Sequence, residues 1–142
     1  VRLREEFGVK LWGYAALPND YMAEFDEFVL RPTTTQMRQM YSGALFLLKA
    51  SKYEGRACAP VEAMACGTTC ARAIIKGDDD LHNGKNCLRT AYDYDELLEA
   101  GRRLLSDRDL LKHLSWNALR YADTRLRWSS VIDRLEKIYA GG

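Results

Sequence analysis

Apolar residues along this chain fall into two regimes. From Val9 to Thr90, short apolar or alternating runs of strand length are separated by helical stretches. From Asp93 onward they recur only at helical spacing. In the first regime, Val1 to Phe7 reads as the tail of a helix closed by Gly8, and Val9 to Ala15 alternates as a strand. Pro18-Asn19-Asp20 carries turn chemistry, and Glu27 to Leu30 is a second short strand stopped before Pro32. Thr33-Thr34-Thr35 offers the cap of a helix with Met37, Met40 and Tyr41 on one face, ended by Gly43. Ala44 to Ala50 is a third strand, apolar enough to be buried on both faces. Pro60 to Cys66 is a short helix closed by Gly67, and Thr69 to Ile75 a fourth strand. A helical turn opens at Gly77-Asp78-Asp79-Asp80, a tight turn lies at Asn83-Gly84, and Cys87 to Thr90 is the last strand.

In the second regime, Leu97, Leu98, Gly101, Leu104 and Leu105 share one helical face. Leu110, Leu111, Leu114, Ala118 and Leu119 share the next, and Val131, Ile132, Leu135 and Ile138 the last. Strands alternating with helices, followed by helices alone, predict an α/β fold: a Rossmann-like parallel sheet flanked by helices, with a helical C-terminal extension. Trp12, Trp116 and Trp128 are expected as core anchors.

Length and composition narrow this picture. The 142 residues make one domain with room for a core. A net charge of +1 argues against general affinity for nucleic acid. No apolar run reaches the length of a membrane span. Cysteines stand at 58, 66, 70 and 87; Cys66 and Cys70 have three residues between them, but no second pair follows and His82 and His113 stand apart, unlike a zinc site. They are expected as four reduced thiols of a cytoplasmic protein with no bound metal.

The candidate chemistry is concentrated between Ser51 and Thr69. Glu54-Gly55 reads as a turn after an apolar strand, and Glu62 lies inside the helix that follows, with seven residues between the two carboxylates. Strand, glycine turn and helix point backbone N–H groups and a helix dipole at an anion. Carboxylates suit vicinal hydroxyls because each can accept from two donors. Arg56 is a candidate phosphate partner, or else a solvated surface arginine. The run Asp78-Asp79-Asp80 reads more simply as complementing a helix dipole than as a metal cluster.

This stretch resembles the E-x7-E signature of retaining, nucleotide-sugar-dependent glycosyltransferases of family 4. Ser51, Tyr53, Glu54, Gly55, Glu62, Ala63, Met64, Ala65, Cys66, Gly67 and Thr68 fall where that pattern puts them. Weaker likeness continues through Asn83 to Leu88, through Tyr94 to Asp107 and over Arg127-Trp128 to Leu135-Glu136. The resemblance implies the donor-binding, C-terminal half of a GT-B architecture, moving a sugar from a nucleotide sugar to a glycan, lipid or polysaccharide acceptor without metal or other cofactor. It implies that Glu54 contacts donor-sugar hydroxyls as the catalytic carboxylate and that Glu62 takes the ribose hydroxyls. It places Gly55, Arg56, Ala57 and Cys58 against the diphosphate, and Arg31 near the base. Many relatives carry Phe-Gly or Trp-Gly where this chain has Arg56-Ala57, which narrows the backbone's freedom beside the phosphate. A non-catalytic α/β interaction module with a decayed donor site is the alternative.

The resemblance also implies a protein of the cytoplasm or of the inner membrane face, and a chain that is a piece of a longer one. In the order 3-2-1-4-5-6 of such sheets, Val9 to Ala15 matches the second strand and Ala44 to Ala50 the fourth. The first would lie between them. Unpaired edges are costly, so the expectation is closure, either by direct pairing of 9–15 with 44–50 or by self-association, and no transferase activity from the isolated piece.

Overall fold

A computed structural model of the protein describes residues 2–54, 58–75 and 79–141. All five strands expected from the sequence are present, and every pairing is parallel. They are β1 (Trp12–Ala15), β2 (Glu27–Leu30), β3 (Phe46–Lys49), β4 (Thr69–Ala73) and β5 (Leu88–Thr90). The helices are α1 (Arg2–Phe7), α2 (Thr34–Gly43), α3 (Cys58–Ala65), α4 (Tyr94–Ser106), α5 (Arg108–Tyr121) and α6 (Trp128–Tyr139). A π turn, Ala122–Leu126, joins α5 to α6.

Local chemistry explains most boundaries. Thr33 caps α2 in a reciprocal box: its hydroxyl accepts from the Gln36 N–H while the Gln36 side chain accepts from the Thr33 N–H. Asp93 and Asp107 cap α4 and α5 by accepting from backbone N–H groups of the first turn, without a reciprocal box. Gly67 ends the turn after α3 at a φ of 81°, a left-handed conformation that glycine adopts without steric cost. The leucine face of α4 is buried as predicted, with Leu97 and Leu104 meeting Leu111 and Leu114 of α5 over Ala71 and Leu88 of the sheet. At Gly101 a β-carbon would stand 2.7 Å from Leu3 Cδ1, so the glycine is what lets α1 lie this close to α4. Arg102 of α4 donates to both carboxylate oxygens of Glu6 at 3.0 and 2.8 Å, fixing that contact at its rim.

Among the described residues, the direct pairing of 9–15 with 44–50, one of the two expected routes to closure, does not occur. β1 pairs only with β2, while β3, β4 and β5 form a separate sheet in that order. Between β1 and β3 lies a cavity of about 570 Å³, lined by Leu11, Trp12 and Tyr14 on one side, Phe46 and Leu48 on the other, and Leu98 of α4. β1 cannot slide across it cheaply. Trp12 rests against Gly43 at the end of α2, and the Tyr14 and Tyr41 hydroxyls are hydrogen-bonded at 2.8 Å. The N–H of Leu11, just before β1, donates to Asp26 Oδ2 at 2.8 Å, binding the approach to β1 to the turn before β2.

Two further expectations, for β3 and for the tryptophans, are corrected. β3 is not buried on both faces: Leu48 is 44% exposed beside the cavity, whereas every residue of β4 is buried. The apolar stripe of α6 forms as spaced, but Ile132, Leu135 and Ile138 remain exposed, and α6 has no buried residue. Trp116 and Trp128 lie at the surface and Trp12 faces the cavity, so none of the tryptophans is a core anchor.

Candidate functional site

β3 delivers its last residue, Lys49, and the following segment to the carboxyl end of the three-stranded sheet, where open α/β folds hold their ligands. Lys49 Nζ lies 2.8 Å from Glu54 Oε1. Arg72 of β4 sits opposite Lys49 in register, and Arg89 of β5 opposite Arg72, so cations stand in one row across the strands. The Arg72 side chain is fully buried, with Nη2 3.8 Å from Glu54 Oε2 and Nε donating to the Ala73 carbonyl at 3.1 Å. Arg89 donates from Nη1 to the Leu81 carbonyl at 3.1 Å.

Burial works to raise the Glu54 pKa. Hydrogen bonds from Lys49 and Ser51, with the charges of Lys49 and Arg72, outweigh it and hold the carboxyl below its ordinary range. Glu54 is therefore an oriented, acceptor-only carboxylate. A depressed folded pKa stabilises the fold above the unfolded value and loses that contribution as pH falls through the folded one. Lys49→Met, which raises the folded pKa toward the unfolded one, should lower stability at neutral pH and leave a smaller acid loss that is complete at a higher pH. Urea midpoints measured between about pH 3 and 7 test this, and coincident acid limbs for the two proteins would contradict it.

Glu62 belongs to a different network. It lies one turn into α3 and is exposed. The Tyr41 hydroxyl donates to Glu62 Oε2 at 3.2 Å. Having spent its proton there, Tyr41 accepts from the Tyr14 hydroxyl at 2.8 Å. The Tyr41 side chain is buried, and the Thr68 hydroxyl donates to its carbonyl at 2.6 Å. Burial, then the Tyr14 hydrogen bond, push the Tyr41 pKa far up, so its phenol remains a donor.

The remaining predicted positions divide as follows. Cys58 is exposed and opens α3. Gly55, Arg56, Ala57 and Asp78 lie outside the described residues. Arg31 stands at the end of β2 with a φ of 51°, and its Nε donates to the Ala16 carbonyl at 3.1 Å, across the end of β1. Sequence reasoning missed Lys49, Arg72, Tyr14 and Tyr41 as site residues. Arg72 had a signal, a lone arginine in an otherwise small and apolar strand; the tyrosines had none, because helical and strand periodicity register their rings and not their hydroxyls.

No family model matches the chain, and no curated protein does. Solved structures do. Sucrose-phosphate synthase from Thermosynechococcus elongatus superposes with a TM-score of 0.69 at 23% identity, over 80% of this chain and 29% of that one. TarM superposes with a TM-score of 0.72 at 16% identity, over 96% of this chain and 30% of that one. This chain thus spans under a third of either structure's length. The likeness is one of fold: parallel sheets flanked by helices, as in GT-B glycosyltransferase domains. Among the described residues no helix is long and apolar enough to cross a membrane.

Proposed function

We propose that this chain is the nucleotide-sugar-binding domain of a retaining glycosyltransferase of family 4. The observation that carries the reading is the placement of the paired carboxylates. Glu54 follows a parallel strand and Glu62 rides the next helix, within a domain of GT-B type. Held ionised by Lys49 and Arg72, Glu54 keeps lone pairs for donor-sugar hydroxyls, since a carboxylate offers about four acceptor positions. Glu62 receives the ribose hydroxyls. The backbone from Gly55 to Cys58, with the amino end of α3, meets the charge that develops on the leaving diphosphate. Arg56 adds a cation there and Arg31 borders the base. No metal is assigned a part.

The acceptor, a glycan, lipid or polysaccharide, is supplied through another domain of a longer cytoplasmic protein, so residues 1–142 alone transfer no sugar. The same longer protein supplies the strand that fits between β1 and β3. The cavity between those strands measures about 570 Å³, and its walls are largely apolar.

A thermal-shift panel of UDP, GDP, ADP and TDP sugars on the intact protein tests the reading. One nucleotide series should raise the melting midpoint by mass action. No rise with any of them would leave the non-catalytic interaction module.

A further inference from the structure

Glu62 is an exposed residue on a short helix, and an exposed glutamate samples several rotamers unless something selects one. Here something does. The buried Tyr41 reaches it from α2, the Tyr41 backbone is tied to Thr68, and its ring meets Tyr14 of β1 edge-on with centroids 6.2 Å apart. We propose that the Tyr14–Tyr41 hydroxyl pair is a positioning relay that presets the Glu62 carboxylate for a cis-diol, making Tyr41 a determinant of preference for ribonucleotide over deoxy ligands. The inference rests on the proposed role of Glu62 at the ribose.

The hydroxyls form a one-way chain. Tyr14 donates to Tyr41, and Tyr41 donates to Oε2 of Glu62. Each link fixes the rotor after it, so the ordering entropy of the carboxylate is met in the fold and not at binding. With Oε2 engaged from behind, Oε1 and the second lone pair of Oε2 remain for two adjacent hydroxyls. The relay also spans three elements, β1, α2 and α3, and so makes the position of β1 relative to α3 part of the specificity.

The test compares UDP, GDP and ADP with their 2′,3′-dideoxy counterparts, by calorimetry on the intact protein. The unmodified protein should favour the ribonucleotide of its preferred base about tenfold or more, the scale of a hydrogen bond to a charged group. Tyr41→Phe keeps the ring and should reduce that ratio to about threefold or less, leaving dideoxynucleotide affinity unchanged. Tyr14→Phe should give an intermediate ratio. Glu62→Ala should abolish the preference. A purely structural role for Tyr41 would lower both affinities together and leave the ratio intact, which would overturn the relay. A normal protein that shows no preference for the ribonucleotide would overturn the ribose role of Glu62 itself, and the relay with it.

Discussion

Glu54→Ala should lower sugar transfer by the intact protein at least about 100-fold, with the main loss in kcat. The removal of one preorganised charged or polar contact at a reacting centre has this scale. Glu62→Ala should act differently. In its proposed role its contacts are to the nucleotide, equal in ground and transition states, so nucleotide affinity should fall while kcat changes little. Glu54→Ala also carries a structural cost, because the buried Arg72 guanidinium lies 3.8 Å from the lost carboxylate. Leaving a buried charged group short of one of its partners costs at least the roughly 1–3 kcal/mol of a neutral one. Two controls separate the effects. Glu54→Gln keeps the volume and one acceptor oxygen, so it should recover much of the stability but little of the turnover. Arg72→Met keeps an apolar stem in β4 and leaves Glu54 with Lys49 at 2.8 Å, so it should lose stability more than kcat. Urea midpoints beside steady-state rates, with the donor found by the thermal-shift panel, give both readings. Unchanged turnover in Glu54→Ala, with unchanged nucleotide affinity in Glu62→Ala, would overturn the assignment of both carboxylates to the site.

How much of this was legible before the structure depended on what each signal measures. The N-cap offered by Thr33-Thr34-Thr35 is local, and Thr33 takes it, with Gln36 completing a reciprocal box that the reading did not name. The leucine stripe of α4 and the apolar stripe of α6 look alike as patterns, yet one is buried and the other is not. Periodicity reports that a helix has an apolar face; it does not report whether another element covers it. The same gap explains the tryptophans, whose size argued for burial where nothing in the fold encloses them. Strand neighbours are a tertiary property too. Each strand was readable from its own residues, but the separation of β1 from β3 arises from what holds β1 to α2 and to the turn before β2. The spacing of Glu54 and Glu62 marked both carboxylates as candidates. Their partners come from β1, α2, β3 and β4, and only the fold brings those together.

Adding a strand between β1 and β3 should be the largest single gain in stability open to this domain. Both strands present a hydrogen-bonding edge to the cavity, and its walls are apolar. A parallel strand of four residues can exchange up to about eight backbone hydrogen bonds with two neighbours, each worth about 1 kcal/mol net. Against that stands about 1.5 kcal/mol of ordering entropy per residue, and burying two large apolar side chains adds about 2 kcal/mol each. The net is on the order of 5 kcal/mol, which in a domain of this size raises the melting midpoint by roughly 15 °C. The direction of entry is set by α1. Strand–helix–strand crossovers in a parallel sheet are right-handed and join neighbouring strands; β1 has β2 on one side, so a strand leading into α1 belongs on the other, beside β3. The expected result is therefore specific to a strand joined ahead of α1. Such a protein should melt well above residues 1–142, and hydrogen exchange should slow at the amides of Trp12–Ala15 and Phe46–Lys49. The same apolar strand joined after α6 should leave those amides unchanged. If the 142-residue chain instead melts at a midpoint that climbs with protein concentration and gains the same protection, a second copy fills the cavity, and the strand ahead of α1 has lost its place.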